Sequence, residues 1–221
     1  MTTSPDGPTR LVLVRHGESM VMEHGIVGGL KSCTGLSTRG RRQAEALRAR
    51  WEESAEVRGA TQLYASTYPR AIETGQIVAS TVGHGNLDLQ IDAGFCELDP
   101  GDADGMKWEQ AEKMFHLYGA QFDPYVPWAP GAETWAAFCH RAVDALVRCA
   151  DRHPGETIVI ACHGGVVDAA FRGLLRLPVS GEFDLWTLNA SISEFRQPMT
   201  RRWALARYND HAHLVGDLLS H

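Results

Sequence analysis

No stretch of this sequence holds the roughly 18 to 20 consecutive apolar residues of a membrane span, which argues against a membrane partner. The start, MTTSPDGPTR, lacks both a basic run and an apolar stretch, so the expectation is a chain without a secretory leader, resident in the cytoplasm. No C-x-x-C pair occurs among Cys33, Cys96, Cys139, Cys149 and Cys162. Their odd number and scattered spacing speak against a disulfide framework and a thiolate zinc site, and reduced, mostly buried thiols are expected. A basic excess is missing too. With 21 Lys and Arg against 27 Asp and Glu the net charge is -6, which disfavours nucleic acid as a partner, because such proteins carry basic stripes that neutralise phosphates. No G-x-S-x-G string accompanies the H-G-G at His163, so an esterase-type serine elbow is excluded.

What is present is ordinary in amount and uneven in distribution. Hydrophobic residues make up 44% and charged residues 22% of 221 residues, which suits one soluble domain, read as 10–221 behind a flexible tail of residues 1–9. Basic residues outnumber acidic ones in the first 50 positions, while Asp88 to Glu133 is strongly acidic, so a locally positive pocket within an acidic protein is feasible.

Apolar runs and helical stripes alternate along the chain. A strand ending at Val14 is followed by a loop to Leu36, and Ser37 then caps a helix with Gly40, Ala44, Leu47 and Trp51 inward. Thr61 to Ser66 reads as a strand, 69–82 as a helix with Pro69 in its first turn, and Leu87 to Ile91 as a short strand. Helices are expected over 106–118 and 134–150, the second with Trp135, Phe138, Ala142, Ala145 and Leu146 inward. A buried strand from Thr157 to Ala161 leads through Cys162, His163, Gly164 and Gly165 into a helix over 166–176. Ser191 to Arg196 and Arg201 to Asn209 then alternate as an antiparallel pair at one edge of the sheet, which leaves room for a homodimer. The pattern predicts an α/β fold: a three-layer αβα, doubly wound, mostly parallel sheet with an antiparallel edge strand, whose ligands bind outside the carboxyl ends of the strands.

His16 and His163 both fall at such ends. Gly17 lets the backbone turn directly after His16. A neutral imidazole can attack phosphorus, and guanidinium groups match phosphate oxygens, so Arg15 beside His16 and Arg70 at the opening of a helix suggest phosphoryl chemistry. Glu97 stands in a loop after the third strand as a proton donor, with Asp99, Asp102 and Asp104 as competing carboxylates.

Six ordered segments carry a resemblance: LVRHGES, GLSTRGRRQAEAL, YASTYPRAIETG, PGAETWAAFCHRAVDAL, IVIACHGGVV and LNASISEF. Together the chain resembles the histidine phosphatase superfamily, the phosphoglycerate mutase-like branch one. The resemblance implies His16 as the nucleophile that becomes phosphohistidine, Arg15, Arg70 and His163 as its cationic pocket, and Glu97 as general acid and later base. It implies hydrolysis of small phosphorylated substrates with neither metal nor other cofactor. Phosphate and substrate contacts are expected from Arg15, Gly17, Arg70, His163 and Gly164, and on the substrate side from Met22, Thr34 and Gly35, with backbone donors also at Gly28 and Gly29.

The chain departs from the commonest family pattern in two places. Met22 and Ile26 stand where many relatives have an asparagine and an arginine, and Asp168 follows the HGGVV segment where basic residues are frequent. Met20, Met22, Phe122, Tyr125 and Trp128 form either a cap selecting bulky phosphate esters or packing for the first loop. The rival readings are a cofactor-dependent phosphoglycerate mutase and a phospho-ligand-binding pseudophosphatase. The mutase needs a basic cage, whereas Leu98, Asp99 and Pro100 follow Glu97, and Lys107 and Trp108 stand near its lysine.

Overall fold

The computed structural model of the chain describes residues 7–115, 123–180, 183, 185–198 and 202–220. Its central strand is β1 (Thr9–Arg15), TRLVLVR, in which Leu11, Val12, Leu13 and Val14 are wholly buried. Such a run, apolar on both faces, belongs in a sheet covered on both sides. The strand order is β3 (Leu89–Ile91), β2 (Gln62–Ala65), β4 (Thr157–Cys162), β1, β5 (Ile192–Gln197) and β6 (Ala204–Asp210). β1, β2, β3 and β4 are parallel, and β5 is antiparallel to both β1 and β6.

Alternation along β1 assigns the two faces. Val12 and Val14 pack with Leu47 and Trp51 of α2 (Thr38–Ser54) and with Val78 of α3 (Pro69–Val78). Leu11 and Leu13 pack with Phe138, Ala142 and Leu146 of α5 (Trp135–Arg152) and with Val166 and Ala170 of α6 (Gly164–Leu174). This is the expected αβα sandwich. Ser37 Oγ accepts from Gly40 N at 3.0 Å and Thr134 Oγ1 from Ala137 N at 3.2 Å, caps that each contribute about 1 kcal/mol. The buried stripe of α2 is Gly40, Gln43, Ala44, Leu47 and Trp51.

Several boundaries differ from those read off the sequence. β1 takes in Thr9, the last residue of the stretch read as a tail, because its side chain is buried and Oγ1 accepts from Gly155 N at 2.9 Å. The loop after β1 contains a one-turn helix, α1 (Met20–Glu23), and is pinned back on itself by a bridge between Ser19 and Leu36. α3 ends at Val78 and tightens into a 3-10 turn over Ala79–Thr81. α6 begins at Gly164, two residues early, because His163 takes an extended conformation (φ -129°, ψ 165°) at the N-cap position. Trp135 is only half-buried. α4 (Trp108–Phe115) starts two residues late; its expected end at Tyr118 lies outside the described residues, as do Phe122 and Arg201. All five cysteines are free, with only Cys96 partly exposed. Among the described residues no helix is long and apolar enough to cross a membrane.

A separate small core joins the first loop to α4. Val27, Ala103, Ala111 and Ala129 are buried together, flanked by Trp128, whose ring stacks on Trp108 at 6.2 Å between centroids. Tyr125 stays 69% exposed.

Candidate active site

β1 and β4 lie side by side in parallel with Arg15 opposite Cys162, so the next residue of each strand emerges at the same level. Those residues are His16 and His163, and their rings meet edge-on at 5.1 Å. Gly17 follows His16 where a Cβ would overlap the Gly40 carbonyl, and its N–H donates to Thr74 Oγ1 at 3.2 Å, so the first turn of α2 and the body of α3 hold the strand end.

The protonation of His16 follows from its neighbours. Nδ1 lies 2.6 Å from the Gly17 carbonyl, which can only accept, so Nδ1 carries the hydrogen. Nε2 lies 3.0 Å from Arg70 Nε, which can only donate, so Nε2 presents its lone pair. Burial, then the charges of Arg70 and Arg15, hold the imidazole pKa well below the usual histidine range. His16 is thus a neutral imidazole with the lone pair of Nε2 facing a guanidinium.

Arg70 is placed from three sides. Pro69 occupies the first turn of α3, Arg70 Nη1 donates to the Gly28 carbonyl at 3.1 Å, and its guanidinium lies 4.4 Å above the Tyr68 ring. Arg15 Nη1 donates to the Thr187 carbonyl, whereas Arg15 Nε is buried without a partner. Burial lowers the Arg15 pKa to about 10, Glu97 opposing that shift and Arg70 adding to it. His163 Nε2 pairs with Ser66 Oγ at 2.7 Å, its Nδ1 is buried without a partner, and burial followed by Arg70 keeps its pKa well below the ordinary value. A buried polar atom left unpaired costs about 1–3 kcal/mol. Two such atoms beside His16, on Arg15 and His163, mark a place made for an anion's oxygens.

Glu97 closes the far side. Its Oε2 accepts from Gly165 N at the start of α6 at 3.0 Å, and Oε1 accepts from Leu98 N at 3.0 Å. A Cβ at position 165 would overlap Oε1, so the second glycine of HGG is what admits the carboxylate. The competing carboxylates are engaged elsewhere. Asp104 accepts from Gly29 N, Lys31 N and Ser32 Oγ, Asp99 accepts from Gly101 N within its own turn, and Asp102 is exposed.

The structure therefore gathers Arg15, His16, Gly17, Arg70, Glu97, His163 and Gly164, the last with its Cα side 3.5 Å from Arg15 Nε as measured to an ideal Cβ. The other three residues lie further out. Met22 Sδ accepts from Asn189 Nδ2 at 3.7 Å and lines a cavity of about 530 Å³ with Glu18, Glu23, Arg39 and Ser220. Thr34 is exposed, and the carbonyl of Gly35, at φ +117°, accepts from Met20 N at 3.1 Å. Gly29 N–H is taken up by Asp104, and Asp168 is ion-paired with Arg172 at 2.7 Å.

Sequence reasoning passed over Asn189, whose Nδ2 donates to the His16 carbonyl at 3.1 Å while Ala190 N donates to that of Arg15 at 2.9 Å. Asn189 sits inside LNASISEF, but the left-handed Ala190 (φ +56°) that aims it has no signature in the sequence. Ser66 and Thr74 were similarly unassigned. Among the described residues no three His, Cys, Asp or Glu side chains converge as a metal-holding group.

Two imidazoles and two guanidiniums meet at the carboxyl edge of a largely parallel sheet, with a carboxylate on the facing loop, which is where ligands bind in α/β folds of this class. The chain belongs to the histidine phosphatase superfamily (branch 1), whose family model matches residues 11–211. It is 30% identical over 210 residues to the phosphoglycerate mutase-like protein 4 of Arabidopsis thaliana, covering 92% of this chain and 86% of that one. It is 29% identical over 216 residues to the metal-independent phosphoserine phosphatase of the same plant, covering 93% and 83%. Its fold is similar to that of YhfR from Bacillus stearothermophilus, with a TM-score of 0.79 and 26% identity over 93% of this chain and 98% of that one.

Proposed function

We propose that this phosphatase hydrolyses small phosphate monoesters in two steps, without a metal, through a phosphohistidine on His16. The observation that carries the reading is the pair of bonds on the His16 ring. Nδ1–H to the Gly17 carbonyl and Nε2 toward Arg70 leave Nε2 as a lone pair beside fixed positive charge. A bound phosphoryl group takes over the Arg70 Nε–H and fills the unpartnered donors of Arg15 and His163, which frees Nε2 to attack. As the Nε2–P bond forms and the P–O ester bond breaks, Glu97 delivers a proton to the leaving oxygen. Water then attacks phosphorus, Glu97 takes its proton, the P–N bond breaks and inorganic phosphate leaves. Two inversions retain stereochemistry at phosphorus.

Hydrolysis is favoured over mutase chemistry by the surroundings of Glu97. A mutase must hold a second phosphoryl group, yet Lys107 Nζ is engaged with the His24 carbonyl and Arg141 is paired with Glu133. Since one relative is named a phosphoserine phosphatase, phosphoserine is the first monoester to test. The test is an acid-labile phosphoryl-enzyme trapped on His16, with turnover insensitive to chelators across a panel of monoesters. Interconversion of 2- and 3-phosphoglycerate after priming with bisphosphoglycerate would replace the hydrolase reading by the mutase one. Tight binding without turnover would make the protein a pseudophosphatase.

A further inference from the structure

Among the described residues the carboxylate of Glu97 accepts from two backbone N–H groups, so its position depends on how firmly residues 93–98 are held. One side chain does most of that holding. Arg141, on α5, donates through Nη1 to the carbonyls of Gly94 at 3.0 Å, Cys96 at 3.2 Å and Ala93 at 3.4 Å, and through Nη2 to the Glu97 carbonyl at 3.3 Å. Its remaining donors meet Glu133 as a fork, Nε to Oε1 at 3.0 Å and Nη2 to Oε2 at 2.8 Å. Glu133 in turn bonds the other end of the loop, its N–H donating to the Asp99 carbonyl at 2.9 Å. The guanidinium also lies 5.2 Å over the Phe138 ring, against which Gly165 packs. Arg141 thus ties the loop that carries Glu97 to the same helix layer that carries the Gly165 N–H.

We infer that Arg141, oriented by Glu133, is a positioning residue that sets Glu97 for proton transfer to the leaving group. This rests on the reading of Glu97 as the general acid. The side chain touches no reacting atom, and five directed donors on one rigid plane are a costly way to stabilise a surface loop. An ammonium would not do the same work, since it offers three donors around a point and cannot span the loop and the carboxylate together.

The role has a consequence that mere stabilisation does not share. Proton donation matters when the leaving alkoxide is basic and hardly at all when it is a stable phenolate. With phenyl phosphate or phosphoserine, R141Q should lose kcat by about 10²-fold with KM little changed, as expected for a misplaced acid. With 2,4-dinitrophenyl phosphate it should keep within about threefold of the parent rate. R141K should follow R141Q rather than the parent. In an E97Q background, adding R141Q should cost little more, because the acid it positions is gone.

An equal loss on all leaving groups, or a full additional loss in the double variant, would overturn the inference while leaving the phosphohistidine reading intact. A leaving-group dependence absent from E97Q itself would instead remove Glu97 as the acid, and this inference with it. If R141Q does not accumulate as folded protein, R141K carries the same comparison across both kinds of leaving group, since its ammonium keeps the charge but cannot span the loop carbonyls and Glu133 together.

Discussion

The two strand ends that build this pocket are near copies in sequence and opposites in chemistry. R-H-G closes β1 and C-H-G-G closes β4, and the parallel register brings both histidines to one level with rings 5.1 Å apart. Both are buried, and both are kept neutral by burial first and Arg70 second. They differ in which nitrogen is engaged. His16 spends Nδ1 on its own next carbonyl and turns Nε2 toward Arg70, whereas His163 gives Nε2 to Ser66 and leaves Nδ1 without a partner. In the proposed reaction one ring attacks and the other contacts the anion. The role of an active-site histidine here is set by the atom it has left over, not by the motif that delivers it.

The sharpest way to break this contrast is to remove each ring in turn. H16A should lose the trapped phosphoryl group altogether, with kcat falling on the order of 10⁴-fold or more. H163A should keep the phosphoryl-enzyme while kcat falls about 10²–10³-fold, the usual effect of one missing charge-stabilising group. A phosphoryl group found on His163 would reverse the assignment.

Arg70 tests why the attacking ring stays neutral. R70M removes a positive charge beside His16, so the imidazole pKa rises toward its ordinary value and the acidic limb of kcat/KM moves to higher pH. Burial is the larger cause, so the recovery is incomplete. The rate itself should drop about 10²-fold. An acidic limb that stays in place while the rate falls would detach Arg70 from the protonation of His16.

The same neutrality has an effect on folding. His16 and His163 have pKa values below the unfolded 6.5, and His213, under burial and the charge of Arg50, is lowered to about 4. Below pH 6.5 the unfolded chain binds protons that the native one refuses, so stability falls as pH drops, by about 1 kcal/mol per pH unit for each histidine. Calorimetry from about pH 7 to pH 5 should show a falling Tm, less steep in H213Q. A Tm that rises on acidification would contradict the burial argument.

The smallest effect is expected from the partner of the second ring. S66A frees His163 Nε2 without moving a charge, and should lower kcat less than about tenfold while leaving phosphoryl-enzyme formation intact.

Much of this is legible in the sequence. The unbroken apolar run of β1 fits a sheet covered on both faces, and the abrupt change at Arg15-His16 and at His163-Gly164 marks the strand ends. Ser37 acts as a helix cap as expected, because a cap is decided within four residues, while Thr134, expected as the first residue of its helix, caps it instead. The short α1 has too little pattern in one turn to register, and the early start of α6 is hidden because Gly164 and Gly165 are among the poorest helix formers.

Local chemistry was thus settled along the chain: which residue types stand at which strand end and which faces are apolar. Tertiary structure alone decided which nitrogen of each histidine is free, which of Glu97, Asp99, Asp102 and Asp104 meets the α6 amide, and that Met22 meets Asn189. The reason is the length scale of the bonds involved. Arg70 to His16 spans 54 positions, Gly165 to Glu97 spans 68 and Asn189 to His16 spans 173, and no periodicity along a chain encodes hydrogen bonds between residues that meet only when the sheet closes.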